Sequence, residues 1–211
     1  MSFEYVTRQE WGAVGPRSIR PVAPEAFTAI EVHHTAGTTS GDGAAIMRNT
    51  QAFHMGERNY QDIFYNWLVH PDGTIYQGRG WVTSARRENF MLICMIGNYE
   101  NLEVTDAQRE SVAAIVAESW ERMPQLVGKD VRWHGQRSAT ACPGGNTIEF
   151  VQEMNELGWS LPLVQDSVAP SLEDRVVALE ERIKIMRKGA AQYRKSISLL
   201  RKQLDELGDV A

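Results

Sequence analysis

Apolar and polar positions change their period several times along the first 160 residues, and each change marks an element. FTAIEVHH (27–34) is rich in β-branched and apolar residues and reads as a strand that runs into two histidines. DGAAIMRNTQAFHM (42–55) has helical spacing, with Ala45, Ile46, Met47, Asn49 and Phe53 towards one side. FYNWLV (64–69) and TIYQG (74–78) flank HPDG, whose proline and glycine supply turn chemistry, so a hairpin is predicted there. MLICMIG (91–97) is short and continuously apolar, the pattern of an interior strand. In TDAQRESVAAIVAESWERM (105–123), Thr105 and Gln108 form a capping box that opens an amphipathic helix. DVRWH (130–134) reads as a short strand ending on His134, and NTIEFVQEMNELG (146–158) as a helix closed by Gly158. The order β, α, β, β, β, α, β, α predicts an α/β fold, a mixed central β-sheet flanked by α-helices, over residues 1–160.

The pattern then changes. SLPLVQDSVAP (160–170) carries two prolines, so residues 161–170 are expected to be a linker. From Leu172 to Leu207 the apolar positions step by four and three without a break, a coiled-coil signal over 171–208. Val176, Ile183, Ala190, Ile197 and Leu204 fall at a, with Leu172, Leu179, Met186, Tyr193, Leu200 and Leu207 at d, a choice that favours a parallel dimer. Against that, Arg187, Arg194 and Arg201 at e have no acidic partners at g. Gly189 also costs about 1 kcal/mol inside a helix and is suited to the turn of a helical hairpin. Two readings therefore stand for the tail: a homo-oligomer through the C-terminal helix, or a hairpin.

Composition narrows the function classes. Of 211 residues, 43% are hydrophobic and 23% charged, ordinary for a soluble globular protein, and the net charge of −5 offers no global basic field for nucleic acid. No apolar run approaches the roughly 18 residues that span a bilayer, so no stable membrane insertion is expected. MSFEYVTRQEWG has neither the basic nor the apolar region of a secretory signal, which points to a cytoplasmic chain. Two cysteines make a poor disulfide framework, and Cys94, inside MLICMIGN, reads as packing.

The candidate chemistry lies in the histidines and Cys142. His33 and His34 end one predicted strand; His134 ends another and precedes Cys142 in WHGQRSATACPGG. Two imidazoles and a thiolate suit Zn²⁺, and alternation along a strand allows at most one of His33 and His34 to join them. Spacing alone leaves Cys142 open as a ligand, a nucleophile or a turn residue, because no fixed zinc motif is present.

RQEWGA, VHHTAG, FHMGERNYQDIFYNWLVHPDGTIYQGRGW, MIGNYE and WHGQRSATACPG, in that order, resemble the peptidoglycan-recognition-protein-like zinc N-acetylmuramoyl-L-alanine amidases. That family includes phage endolysins and animal peptidoglycan recognition proteins. The likeness covers about residues 8–157 and stops before the tail. It implies that His33, His134 and Cys142 are zinc ligands, that Tyr65 is the active-site tyrosine, and that Thr140 occupies the position of a helper Thr or Lys. It also implies peptidoglycan as the partner and hydrolysis of the amide between N-acetylmuramic acid and L-alanine. The chain departs from the family habit at Phe64, where Gly is usual, and at Gly135–Gln136, where Arg-Asp is frequent.

The reading implied most directly is a phage endolysin held in the host cytoplasm until release. A cytosolic amidase recycling muropeptides and a non-catalytic peptidoglycan-binding module are the alternatives. Arg79 is a candidate contact for a peptide carboxylate or the cation of an exposed salt bridge; Trp67, Trp81 and Trp133 could stack on sugar, although Trp67 and Trp133, on strands, read more readily as core. His34 reads as a hydrogen-bonding core residue, His70 as a turn residue, and His54 as either cleft or structural.

Overall fold

The computed structural model describes residues 3–159; the predicted linker and coiled-coil tail lie outside the described residues. Strands β1 (Ala29–His34), β2 (Trp67–Val69), β3 (Ile75–Gln77), β4 (Phe90–Met95) and β5 (Arg132–Trp133) form one sheet in the order β3-β2-β4-β1-β5. Helices α1 (Gly43–Gly56), α2 (Asp106–Arg122) and α3 (Gly145–Glu156) cover it. Only the β2–β3 hairpin is antiparallel, so the mixed sheet read from the element order is what the chain forms. No helix among the described residues is long and apolar enough to cross a membrane.

The interior strands are buried at every position, so the two faces of β1 separate by alternation. Ile30 and Val32 of β1 join Met91, Ile93 and Met95 of β4 in the larger core, together with Val112, Ile115 and Val116 of α2 and Phe150, Val151 and Met154 of α3. On the other face Leu68 and Cys94 pack with Met47 of α1, Trp11 and Ile63. Cys94, fully buried there, is part of this packing.

Helix α1 starts where Asp42 accepts the backbone N–H groups of Ala44 and Ala45 at 3.1 and 3.2 Å. The side with apolar spacing is shared between core and cleft. Met47, Gln51 and His54 are buried, whereas Ile46, Asn49 and Phe53 line an open cleft. Gln51 faces inwards because it has polar partners there: it donates to Asp62 Oδ1 at 2.7 Å and to the Val14 carbonyl at 3.0 Å. Helix α2 carries the predicted capping box, with the Gln108 N–H donating to Thr105 Oγ1 at 3.1 Å.

Helix α3 has no side-chain cap. Gly144 takes φ = 88° at its N-cap position, and a Cβ there would lie 2.4 Å from the Tyr99 carbonyl carbon. This contact fixes the loop before α3 against the segment that follows β4. Gly144→Ala is expected to cost on the order of 3 kcal/mol, read as a lower urea midpoint at unchanged slope.

Candidate metal centre

Strand β1 delivers two histidines to its end and sends them to opposite faces. His34 turns to the larger core, where its Nδ1 accepts the Tyr99 N–H at 3.3 Å. His33 turns to the α1 face, beside the loop that follows β5. Parallel pairing of β1 with β5 brings that loop alongside, so His134, the residue after Trp133, stacks near His33 with ring centroids 4.7 Å apart.

The loop 134–142 is folded back by its own hydrogen bonds. Gly135 N–H donates to the Cys142 carbonyl at 3.0 Å, and Cys142 N–H donates to Thr140 Oγ1 at 3.2 Å. Cys142 Sγ accepts the His34 N–H at 3.4 Å and lies 3.6 Å from His33 Nδ1. One donor atom from each of His33, His134 and Cys142 falls within 4.8 Å of the others. Two imidazoles and one thiol, one from strand β1 and two from the loop after β5, are the group that converges here among the described residues, and this donor set fits a divalent zinc ion.

Electrostatics favour ligands over a free nucleophile. Burial lowers the pKa of His33, against the pull of Glu31, and lowers that of His134 to about 4 with help from His33. Both rings are therefore neutral at pH 7, as metal ligands must be. Burial raises the Cys142 thiol to about 11, outweighing the His34 N–H that works the other way. An unassisted thiol of that kind holds little thiolate at neutral pH, and a bound cation is what would discharge its proton.

Tyr65 and Thr140 join the same cleft. The Tyr65 ring lies 5.3 Å from the His33 ring. Burial, then the neighbouring Cys94 and Cys142 sulfurs, raise its pKa well above 10, so it is a neutral phenol. Thr140 is exposed at the cleft, its oxygen already serving the Cys142 N–H. The cleft has a volume of about 690 Å³ and contains Arg58 and Arg86 but no carboxylate among its lining residues.

Several expectations change here. Trp67, Trp81 and Trp133 do not line the cleft: Trp67 is fully buried, Trp81 packs 4.8 Å from it under Arg122, and Trp133 packs on the larger core. The aromatic walls are Phe53, Tyr60, Phe64 and Tyr65. Arg79 is also outside the cleft lining; its Nε donates to the Ile63 carbonyl at 2.6 Å, so it braces the chain just before Tyr65. Phe64 stacks under Arg86, whose guanidinium carbon is 5.2 Å from the ring centroid. His70 stays in its turn, 3.0 Å from Asp72. His54 serves both readings, lining the cleft and accepting the Phe64 N–H at 3.1 Å.

His54 makes acid stability predictable. Burial, then Arg79 and Arg58, lower its pKa from 6.5 to about 4. The folded value lies below the unfolded one, so its contribution is complete above about pH 6.5 and is lost as pH falls towards 4. At 1.36 kcal/mol per unit this is about 3 kcal/mol, and His33, His34 and His134 shift in the same direction. Urea midpoints of the chelator-treated protein are expected to fall steeply between pH 6.5 and 4, and His54→Gln to flatten that slope.

The mixed sheet with two histidines and a cysteine gathered at the end of β1 and in the loop after β5 defines an α/β fold with a candidate metal site. The family described as N-acetylmuramoyl-L-alanine amidase matches residues 23–145, and the chain belongs to that family. Peptidoglycan-recognition protein SC2 of Drosophila simulans is 34% identical over 149 residues, covering 67% of this chain and 80% of that protein. The crystal structure of Drosophila peptidoglycan recognition protein SD superposes with a TM-score of 0.64 at 27% identity, covering 77% of this chain and 100% of the other. Peptidoglycan recognition protein-LE, solved with tracheal cytotoxin, a monomeric diaminopimelic acid-type peptidoglycan, gives a TM-score of 0.64 at 25% identity, covering 77% and 98%.

Proposed function

We propose that the chain is a zinc-dependent amidase that cleaves the bond between N-acetylmuramic acid and L-alanine in bacterial peptidoglycan. The observation that carries this reading is the His33–His134–Cys142 trio, its donor atoms within 4.8 Å, in a cleft of about 690 Å³. Membership of the amidase family and the peptidoglycan fragment held by protein-LE support the same substrate. Arg58 and Arg86, in a cleft lining without carboxylates, suit the anionic stem peptide.

His33, His134 and Cys142 would hold Zn²⁺, which when bound supplies a Lewis acid that polarises the scissile carbonyl and acidifies water. The chain's own groups do the rest. Tyr65, neutral and close to His33, orients the attacking water or carries its proton. The Thr140 hydroxyl accepts from Cys142 N–H and keeps its own proton free to donate to the developing oxyanion. Phe53, Tyr60 and Phe64 hold the substrate and narrow the access of bulk water.

We read the protein biologically as a phage endolysin, kept in the host cytoplasm and reaching the wall on release, with a tail that makes it a homo-oligomer. Full-length protein with zinc, incubated with intact sacculi and with soluble muropeptides, is expected to release L-alanine-terminated peptides from both and to turn over sacculi efficiently. Cleavage of soluble fragments only would favour a recycling amidase, and retained binding without cleavage a recognition module. Light scattering on the full chain reads the oligomer directly.

A further inference from the structure

Glu31 is out of place by composition: a carboxylate in the middle of an interior strand, fully buried, on the same face as His33 two residues later. Removing a carboxylate from water costs several kcal/mol unless it is well partnered. Its partners are Arg137, with Nε 2.6 Å from Oε2 and Nη2 2.9 Å from Oε1, and His33, with Nε2 2.8 Å from Oε1. The His33 contact is close without the alignment of a full hydrogen bond, whereas the arginine pair is bidentate. The other ring nitrogen, His33 Nδ1, faces Cys142 Sγ at 3.6 Å.

We infer that Glu31, held by Arg137, is a positioning residue that keeps the His33 proton on Nε2 and so presents Nδ1 to the metal. This rests on the zinc reading of the preceding section. An imidazole that donates one N–H to a carboxylate is fixed in tautomer and ring orientation, and its other nitrogen becomes the more basic ligand. Arg137 lies three residues beyond His134, in the loop that also carries Cys142. The Glu31–Arg137 pair therefore ties the two loop ligands to the strand that bears the third.

A purely structural ion pair and a positioning carboxylate predict different results. In the full-length chain, Glu31→Leu replaces the buried charge with a side chain of similar size, and Glu31→Gln keeps the shape while removing the charge. If Glu31 positions His33, both variants bind zinc about 10–100-fold more weakly in competition with a chromophoric chelator. The imidazole ¹⁵N shifts of His33 in the metal-free wild type show the Nε2–H form, and those of the variants a mixture of tautomers. Zinc affinity within twofold of wild type in the folded variants overturns the inference, as does an Nδ1–H tautomer in the wild type. The tautomer measurement decides alone if neither variant folds. Wild-type protein that binds no zinc defeats the reading of the preceding section, and that control is measured first.

Discussion

Replacing Cys142 with alanine is expected to weaken zinc binding and slow hydrolysis by orders of magnitude while leaving the fold in place. Structural zinc sites with four ligands are worth roughly 10–16 kcal/mol, so one thiolate accounts for about 3 kcal/mol, on the order of 10²-fold in affinity. Hydrolysis should fall further, by about 10³-fold or more, because the weakened site also loses the ligand that sets its charge. The sulfur's own bond to the loop's surroundings, from the His34 N–H at 3.4 Å, is lost, but the loop's closure does not depend on it. Its closing bonds run from Gly135 N–H to the Cys142 carbonyl and from Cys142 N–H to Thr140 Oγ1, and alanine keeps both. The check is zinc per chain by elemental analysis beside the initial rate on cell walls. A Cys142→Ala variant as active as wild type would remove the sulfur from the chemistry altogether.

Tyr65→Phe separates chemistry from binding. The ring is packed by His33, His54 and Phe64, with centroid distances of 5.3, 5.4 and 5.7 Å, and phenylalanine keeps those contacts. Only the hydroxyl goes, and with it the donor that orients water or passes a proton. General acid–base and electrostatic assistance of this kind is worth about 10²–10³-fold. The expected outcome is a fall of that size in kcat, with KM within about threefold and zinc content unchanged. A kcat within threefold of wild type would assign Tyr65 to packing alone.

How far the sequence could be read depended on the range of the interactions involved. Local signals carried the elements: the capping box at Thr105, the HPDG turn and the apolar run of β4 each act within a few residues, and each appears where expected. The alternation of β1 was enough to send His33 and His34 to opposite faces. The burial of Gln51 and His54 in α1 was not legible, because it serves Asp62 and the Phe64 N–H, partners that helical periodicity does not contain. Residue type alone allowed the tryptophans to be sugar platforms or core; Trp67 is core, as its place on a strand suggests, and Trp81 packs on it away from the cleft. Glu31 and Arg137 were missed although a signal was present: a lone acid between the apolar residues of AIEV, in an interior strand, needs a buried partner. Its partner lies 106 residues away, and only the pairing of β1 with β5 brings the two together.

The central claim, that this chain hydrolyses the muramoyl–L-alanine amide with zinc held by His33, His134 and Cys142, is tested most directly by identifying products. Full-length protein should be stripped with a chelator, divided, reloaded in one portion with equimolar zinc, and incubated with purified peptidoglycan before mass spectrometry. The account predicts stem peptides with free L-alanine amino termini and glycans with free lactyl carboxylates from the zinc-loaded portion, and neither from the stripped one. Intact muramoyl–alanine bonds after incubation with protein shown to carry one zinc per chain would contradict it.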